Sequence, residues 1–436
     1  MVPGTQRYMA STIVNVFQRL ARQWDVAHPY NAAQVLKIQG SADPAVLHLA
    51  WHDTLNSLGL GRVRFQGHSF HYECLNGEMS LYGIRVVRPG ISLEDHISEQ
   101  LNRRFDNPAE PPFRPFVLFE NGFYYLGVVY HHWIADSVSI RTVLREWFVR
   151  LFDPAKATHN PVRLPDQGYS RFFKMLNGVS AIGQGVLTAA RWASALRRAR
   201  RIEYHCGTDL TVRFALRSVP DGWIDTFHAA ARKLGVTLND LFLAAIAQVC
   251  ENHVPLKQRP RRHDMALGSI VDLRPYSSED LTDTFGLLLG FTNVVCRPHE
   301  LRDPHLLLQS IAMQSSQQKH RGMPQASALR LLAGVAAGQF VRPERMAHFY
   351  QKHIPMAGGI SNVNLKRSWA MEYHPSPLMD YIRVSPTGPM MPLVFATTTL
   401  GQSFHFALTY RPSVVPTDHI DAVAKTFTDT LWSYCR

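Results

Sequence analysis

Residues 123–137 read FYYLGVVYHHWIADS, the strongest structural signal in the chain. The first eight residues are apolar or aromatic apart from one glycine, which predicts a buried strand over Phe123–Tyr130. The dipeptide Asn121-Gly122 favours a tight turn before it, so Phe116–Phe119 is predicted to be the partner strand of a hairpin. Helical spacing of apolar residues then predicts a helix over Ser137–Phe152. A histidine pair and an aspartate therefore lie where a strand gives way to a helix.

The histidine pair indicates acid–base chemistry. Histidine titrates near neutral pH, so it can take a proton from an alcohol or an amine that attacks an acyl carbon. Side chains alternate along a strand, which places His132 on the side of Tyr130 and His131 on the side of Val129. The two rings are predicted to point apart, and only one can face a shared substrate. The alternative is a surface pair or a pair satisfied within the core.

Asp136 has two possible roles. It can cap the helix that starts at Ser137, a common position for aspartate. If it is buried, its carboxylate needs a cation or several hydrogen-bond donors. The best candidate cation is Arg274, which follows a strand predicted over Ala266–Asp272. Such an ion pair would fix the loop that carries His132 and connect the two halves of the chain.

The rest of the chain predicts a mixture of strands and helices. A length of 436 residues suggests two domain-sized halves. A Pro-rich segment over 153–169 is predicted to be a loop or crossover. The further predicted helices are 12–24, 45–58, 93–105, 172–201, 223–234, 238–249, 304–320, 326–337 and 418–432, and the further strands are 31–38, 63–65, 70–72, 81–87, 211–216 and 290–297.

Composition and charge narrow the class of protein. Hydrophobic residues make up 46% and charged residues 18%, as expected for a globular protein with a large core. The net charge of +12 suits an anionic membrane surface, an acidic partner or a phosphate-bearing substrate, or is simply a basic surface. The sequence has no zinc-finger spacing, helix-turn-helix signal or aromatic RNA-binding signature, which makes nucleic acid the weakest of the candidate partners. Five scattered cysteines predict reduced thiols and a cytoplasmic protein. We expect no secretory signal and no membrane span.

The histidine pair with its aspartate resembles a known motif. His131-His132-x-x-x-Asp136 resembles the HHxxxDG motif of the condensation-domain superfamily. This superfamily includes condensation domains of peptide synthetases, polyketide-associated and wax-ester/diacylglycerol acyltransferases, and plant-type acyltransferases. The resemblance extends over residues 26–432. Its other matching segments are His28–Asn31, Val271–Pro275, Phe285-Gly286 and Gly290–Asn293.

The resemblance implies an α/β fold of the α+β type. Two chloramphenicol-acetyltransferase-like lobes, each a mixed sheet with flanking helices, would enclose an active-site tunnel between them. Residues 1–170 would form the N-terminal lobe, 171–204 a crossover with a basic helix, and 205–436 the C-terminal lobe that carries Arg274. No further domain fits in the remaining length, so we expect a free-standing enzyme.

The resemblance also implies the reaction. An acyl group would pass from a thioester on coenzyme A or an acyl carrier protein to an amine or hydroxyl of a small molecule. The expected context is natural-product biosynthesis. The catalytic residues would be His132 as the base, His131, Asp136 as a structural residue and Arg274 as its partner. No metal and no cofactor are expected, apart from the phosphopantetheine arm that belongs to the donor substrate.

Two departures from the family pattern concern substrate binding. Ser137 stands where the motif usually has glycine, which puts a side chain beside the tunnel. Ser361-Asn362-Val363 resembles a segment of the wax-ester group but lacks the Pro-Gly-Pro that follows it there. Asn362 is either a donor to a tetrahedral oxyanion or a turn residue.

Three functions therefore stay open at this point. The first is the acyl transfer described above. The second is lipid ester synthesis with weak peripheral membrane contact, and the third is a catalytically silent homologue that binds carrier proteins. The sequence leaves the acyl chain, the acceptor, the type of thioester and the oligomeric state undetermined.

Overall fold

The structure is a computed structural model that describes residues 11–73, 83–106, 109–165, 168–169, 190, 193–204, 209–365 and 377–436. Most of the helix predicted over 172–201 lies outside these residues, as do Cys74, Cys206 and part of the strand predicted over 81–87. Within the described residues, no single helix is long and apolar enough to cross a membrane. One helix pair reaches that threshold only when taken together, and its members meet at 101°.

The helices of the described residues agree closely with the predicted ones near the histidine motif. Helix α4 begins at Ser137 and ends at Phe152, as predicted. A helix over 343–353 was not predicted. The helices are α1 (Val16–Ala27), α2 (Pro44–Leu58), α3 (Leu93–Leu101), α4 (Ser137–Phe152), α5 (Trp223–Lys233), α6 (Leu238–His253), α7 (Pro298–Leu301), α8 (Pro304–His320), α9 (Met323–Gly338), α10 (Pro343–His353) and α11 (Ile420–Ser433).

Within the part of the chain that the structure describes, the strands form two large and two small sheets. They are β1 (Thr12–Ile13), β2 (Asn31–Gln39), β3 (Arg62–Gln66), β4 (Ser69–Glu73), β5 (Arg85–Val86), β6 (Phe113–Glu120), β7 (Phe123–His131), β8 (Arg201–Ile202), β9 (Arg213–Val219), β10 (Leu256–Lys257), β11 (Met265–Asp272), β12 (Leu289–Cys296), β13 (Gly358–Asn364), β14 (Leu378–Val384), β15 (Leu393–Leu400) and β16 (Ser403–Tyr410).

Both large sheets are mixed. The five-stranded sheet has the order β14-β2-β7-β6-β5, and the six-stranded sheet has the order β12-β11-β13-β15-β16-β9. Parallel pairs occur in each, between β5 and β6 in the first and between β13 and its two neighbours in the second. Helices pack against these sheets, so the predicted α+β architecture of two sheet-and-helix lobes is confirmed.

One strand crosses from the C-terminal half into the sheet of the N-terminal half. Strand β14 pairs antiparallel with β2, with Tyr381 opposite Leu36. A shared apolar cluster also joins residues of both sheets, among them Val129, Val384 and Ala407. The sheets therefore do not divide at the predicted chain boundary, and the domain limits at residues 170 and 204 stay a prediction.

The hairpin that carries the histidines forms for local reasons. Gly122 takes a positive φ of 83°, a conformation that glycine adopts without strain, at the predicted turn between β6 and β7. Strand β7 lies between β6 and β2, with His131 opposite Asn31. At Gly127 a Cβ atom would lie 2.4 Å from the Phe116 ring, so glycine is needed for the ring to pack there. A central, buried strand thus delivers the histidine pair to the end of the sheet.

The first helix starts later than its apolar spacing suggests. Asn15 caps it by accepting from the backbone N–H of Gln18, while the Gln18 side chain accepts from the N–H of Asn15. Thr12–Ile13 instead pairs with β4. The reciprocal cap fixes the start of α1, which forms part of the wall of a cavity between the two large sheets.

Candidate active site between the two large sheets

A large cavity lies between the two large sheets. It encloses about 1450 Å³, counting the space at its openings. Strands β2, β7 and β14 line it from the five-stranded sheet, and β11, β12, β13 and β15 line it from the other. Helices α1, α9 and α10 complete its wall. The position matches the tunnel between lobes that the sequence predicts.

Most of the wall of this cavity is apolar. Such walls exclude water and strengthen the few polar contacts that remain. The polar and charged groups that matter for chemistry lie where the two sheets approach each other near the start of α4. The apolar lining includes Phe17, Leu20, Trp24, Leu287, Leu289, Phe291, Ile354, Met356, Met390 and Met391.

His132 lies on the cavity wall immediately after β7, where one backbone contact and two ring contacts hold the residue. Its backbone N–H donates to the carbonyl oxygen of Tyr30 at 3.0 Å. The Tyr30 ring stacks on the imidazole, with centroids 5.5 Å apart and planes 8° apart. Its Nδ1 lies 2.8 Å from the carbonyl oxygen of Ala135.

These contacts define the protonation of the ring. A carbonyl oxygen can only accept, so Nδ1 must carry a hydrogen, and Nε2 of the neutral ring keeps its lone pair. Within the described residues, no protein group makes a hydrogen bond with Nε2. Burial lowers the pKa of His132 below its usual value, against the opposing effect of the Ala135 carbonyl and the Asp136 charge. At pH 7 the ring is therefore neutral, with an available acceptor nitrogen.

His131, which the sequence also placed among the catalytic candidates, does not line the cavity. Its ring is buried, lies 3.0 Å through Nε2 from a carboxylate oxygen of Asp25, and accepts from the indole N–H of Trp133 at 3.1 Å. It stacks on Phe105 at 5.3 Å. Alternation along β7 turns its ring away from His132 and toward a buried polar cluster, and its catalytic role stays a prediction.

The predicted ion pair between Asp136 and Arg274 is present. Arg274 Nη1 donates to Asp136 Oδ2 at 2.8 Å, and Nη2 donates to Oδ1 at 3.2 Å. Asp136 also caps α4, because Oδ1 accepts from the N–H groups of Val138 and Ser139. The N–H of Leu288 donates to Oδ2 at 2.9 Å. Both roles left open for Asp136 are thus filled by one carboxylate.

This ion pair is almost fully withdrawn from water. The side chains of Arg274 and Asp136 are 5% and 0% exposed. Burial raises the pKa of Asp136, but the charge and hydrogen bonds of Arg274 outweigh it and hold that pKa below its usual value. Arg274 also donates to Asp272 at 3.0 Å and to the carbonyl oxygen of Thr284 at 2.9 Å. The pair therefore fixes the loop after β7 against the segment after β11.

Ser137, Ser361 and Asn362, the predicted substrate-binding residues, all line the cavity. Asn362 lies on β13, where its Oδ1 accepts from the Thr397 hydroxyl at 2.9 Å. That contact leaves the Asn362 side-chain NH2 as the group that can donate to a ligand. The hydroxyl groups of Ser137 and Ser361 both accept hydrogen bonds from Arg383.

Comparison with known proteins now gives the family. Residues 20–329 match the condensation domain. The chain belongs to the condensation-domain family. No curated protein matches this condensation-domain chain.

Solved structures share its fold at low sequence identity. The trichothecene 15-O-acetyltransferase TRI3 from Fusarium sporotrichioides has a TM-score of 0.75 and 12% identity, over 99% of this chain and 96% of that one. The condensation domain of the monacolin K polyketide synthase MokA has a TM-score of 0.65 and 13% identity, over 98% of both chains. The first condensation domain of the calcium-dependent antibiotic synthetase has a TM-score of 0.64 and 13% identity, over 99% of this chain and 97% of that one.

Three residues of this condensation-domain site were missed in the sequence. The Asp25 carboxylate contacts the His131 ring and accepts a hydrogen bond from the backbone N–H of Tyr30 at 2.8 Å. Asp25 therefore fixes the segment whose Tyr30 ring stacks on His132. Tyr30 lies in the His28–Asn31 segment, whose resemblance gave a position but no role. Arg383 had no sequence signal, since it lies 246 residues after Ser137 along the chain.

Metal binding has no support among the residues that the structure describes. No group of three or more His, Cys, Asp or Glu side chains there is arranged to hold an ion. Cys250, Cys296 and Cys435 are free thiols, and burial raises the pKa of the first two far above the usual value. Cysteines that stay protonated at neutral pH are poor metal ligands and poor nucleophiles.

Proposed function

We propose that this condensation-domain protein transfers an acyl group from a thioester to an amine or hydroxyl, with Nε2 of His132 as the general base. The observation that carries the proposal is the state of His132. Its ring is neutral, held by a carbonyl at Nδ1, and exposes Nε2 to a cavity bounded by both sheets. A base of this kind accelerates proton abstraction by about 10²–10⁴-fold.

The proposed reaction runs through one tetrahedral intermediate. The acceptor N–H or O–H gives its proton to Nε2 of His132 as the nitrogen or oxygen bonds to the thioester carbon. The carbonyl π electrons move to oxygen, and the Asn362 NH2 group donates to that oxyanion. Collapse re-forms the carbonyl and breaks the C–S bond. The departing sulfur takes the proton back from His132, which yields a free thiol and an amide or ester.

A direct transfer fits the arrangement better than a covalent acyl-enzyme. Among the described residues, no serine or cysteine donates a hydrogen bond to His132, as an activated nucleophile would. The Ser137 hydroxyl oxygen accepts from Arg383 Nε at 2.9 Å instead. Asp136 and Arg274 have no part in proton transfer; they hold the loop that carries the base.

For the donor, we propose a phosphopantetheine thioester on coenzyme A or on an acyl carrier protein, within natural-product biosynthesis. Family membership supports this choice, and the net charge of +12 suits an anionic donor. The phosphopantetheine arm is part of the substrate, so the protein itself would need no cofactor. A small molecule would supply the accepting amine or hydroxyl.

The test is a thiol-release assay on the purified protein. Acetyl-, hexanoyl-, malonyl- and palmitoyl-coenzyme A and the same acyl groups on a carrier protein would be offered with amine and alcohol acceptors, and products identified by mass. We expect acceptor-dependent thiol release with a matching amide or ester. The intact mass of the protein should not increase by one acyl group when acceptor is omitted.

Two outcomes would contradict the proposal, and a third would replace its natural-product setting. Stoichiometric acylation of the protein would replace direct transfer by a covalent mechanism. No release above the uncatalysed rate, together with tight binding of the carrier protein, would identify a catalytically silent homologue. Release confined to palmitoyl-coenzyme A and dependent on added liposomes would instead identify lipid ester synthesis at a membrane.

A further inference from the structure

A buried arginine on the cavity wall lacks an acidic partner among the residues that the structure describes. Arg383 lies near the end of β14 and is 3% exposed. The charged or ionisable groups that act on it are Tyr130, Tyr381 and Arg141, and none of them is a carboxylate. Burying a guanidinium is costly unless an anion pairs with it. Arg274, by contrast, pairs with two carboxylates.

The protein orients this guanidinium with neutral acceptors alone. Arg383 Nε donates to Ser137 Oγ at 2.9 Å, and Nη2 donates to Ser361 Oγ at 2.7 Å. Nη1 makes two longer contacts, with the carbonyl oxygens of Ser361 at 3.3 Å and Thr397 at 3.2 Å. A guanidinium has five N–H donors, so these four contacts leave one unused, and the two at Nη1 are weak.

The same guanidinium lies close to the proposed base. Ser137, which contacts it, follows the His132–Asp136 loop and begins α4. After burial, the Arg383 charge is among the causes that lower the pKa of His132. A ligand group bound at Arg383 would therefore lie near the reacting atoms rather than at a remote opening of the cavity.

We propose that Arg383, oriented by Ser137 and Ser361, binds a carboxylate carried by one of the two substrates. This inference rests on the proposed function, because it gives the cavity two substrates, but the binding itself needs no catalysis. A carboxylate can accept from the unused N–H of Nη2, and it supplies the negative charge that Arg383 lacks among its own neighbours. The serine in place of the motif glycine would then serve substrate recognition, because its hydroxyl fixes the direction of Nε.

The test compares matched acids and amides as probes of the full chain. Binding of benzoate, hexanoate and malonate, and of benzamide, hexanamide and malonamide, would be measured by ligand-detected NMR at pH 7. We expect each carboxylate to bind the wild type at least about tenfold more tightly than its amide. The Arg383→Met variant should bind both equally, and Arg383→Lys should keep part of the preference.

A milder variant keeps the test valid if Arg383→Met does not fold. Ser137→Ala removes only the hydroxyl that orients Nε, and it should weaken carboxylate binding about threefold while amide binding is unchanged. Equal affinity for acids and amides in the wild type would overturn the proposal. An undiminished preference in Arg383→Met, or in both Arg383→Lys and Ser137→Ala, would also overturn it.

Turnover measurements then show which substrate carries the carboxylate. They also distinguish failure of this inference from failure of the proposed function. With an active donor–acceptor pair, Arg383→Lys should raise KM for the acceptor if the acceptor carries the carboxylate. It should raise KM for the donor if the carboxylate belongs to a malonyl-type donor. A uniform fall in kcat for charged and neutral pairs alike would assign Arg383 to the oxyanion and overturn carboxylate binding. Absent turnover with intact acid preference would remove the proposed reaction and leave this site standing.

Discussion

Replacing Arg274 with methionine should leave a buried carboxylate without its cation. Asp136 is fully buried and receives two hydrogen bonds from Arg274. Breaking a buried ion pair by removing one partner costs about 3–5 kcal/mol. Backbone N–H groups of Val138, Ser139 and Leu288 still donate to Asp136 in the variant. We therefore expect a loss of unfolding free energy near the lower end, about 3 kcal/mol.

The assay is urea unfolding followed by fluorescence of the eight tryptophans. The matched control is Lys425→Met, which removes the same charge from an exposed pair with Asp429 on α11. The control should change the free energy of unfolding by less than about 1 kcal/mol. In the double variant Arg274→Met/Asp136→Asn, the loss should be smaller than the sum of the single losses by about 1 kcal/mol or more.

The pH dependence of the same difference provides a second check. Because the pKa of Asp136 is lowered in the folded protein, its pair stabilises the fold above the unfolded pKa, and that stability is lost as pH falls. Without Arg274, burial is the largest effect on that pKa and raises it against the remaining backbone donors, so the variant suffers most near neutral pH. The gap between wild type and Arg274→Met should narrow from pH 7 to pH 4. A variant within about 1 kcal/mol of the wild type, or a gap that widens in acid, would refute the reasoning.

Three further measurements test other parts of the structure. Because burial lowers the pKa of His132 from 6.5, kcat/KM should be flat at neutral pH and fall only below 6.5; an inflection above that value would contradict a neutral base. Asn362→Ala should lower kcat about 100-fold with little change in KM, and a loss under about threefold would exclude an oxyanion role. Gly127→Ala should destabilise the fold by about 1–3 kcal/mol in urea unfolding, because its Cβ would lie 2.4 Å from Phe116. Gly168→Ala should leave the free energy of unfolding unchanged, because no atom lies within 4 Å of a Cβ there.

Local sequence signals predicted the elements that carry the base. The Asn-Gly turn, the apolar strand and the spacing after Ser137 are short-range patterns, and β6, β7 and α4 form as expected. Placing Arg274 beside Asp136 took more than local pattern, since the two are 138 residues apart. The rule that a buried carboxylate needs a cation selected it, and the family resemblance supported it.

Long-range topology and polar clusters were harder to predict. Nothing in Leu378–Val384 shows that this strand leaves its own half to pair with β2, so Arg383 could not be placed beside Ser137. Alternation along β7 did predict that the two histidine rings diverge. The family motif, rather than this alternation, placed His131 among the catalytic residues, and its ring lies outside the cavity lining.

The most direct measurement is the turnover of His132→Ala against that of His68→Ala, with the best donor and acceptor found by thiol release. His68 is exposed between β3 and β4, so its replacement is the matched control for losing an imidazole. If Nε2 of His132 takes the acceptor proton, kcat/KM should fall at least about 100-fold in His132→Ala, with unfolding by urea little changed, and stay at the wild-type value in His68→Ala. Full activity in a folded His132→Ala would contradict the central claim.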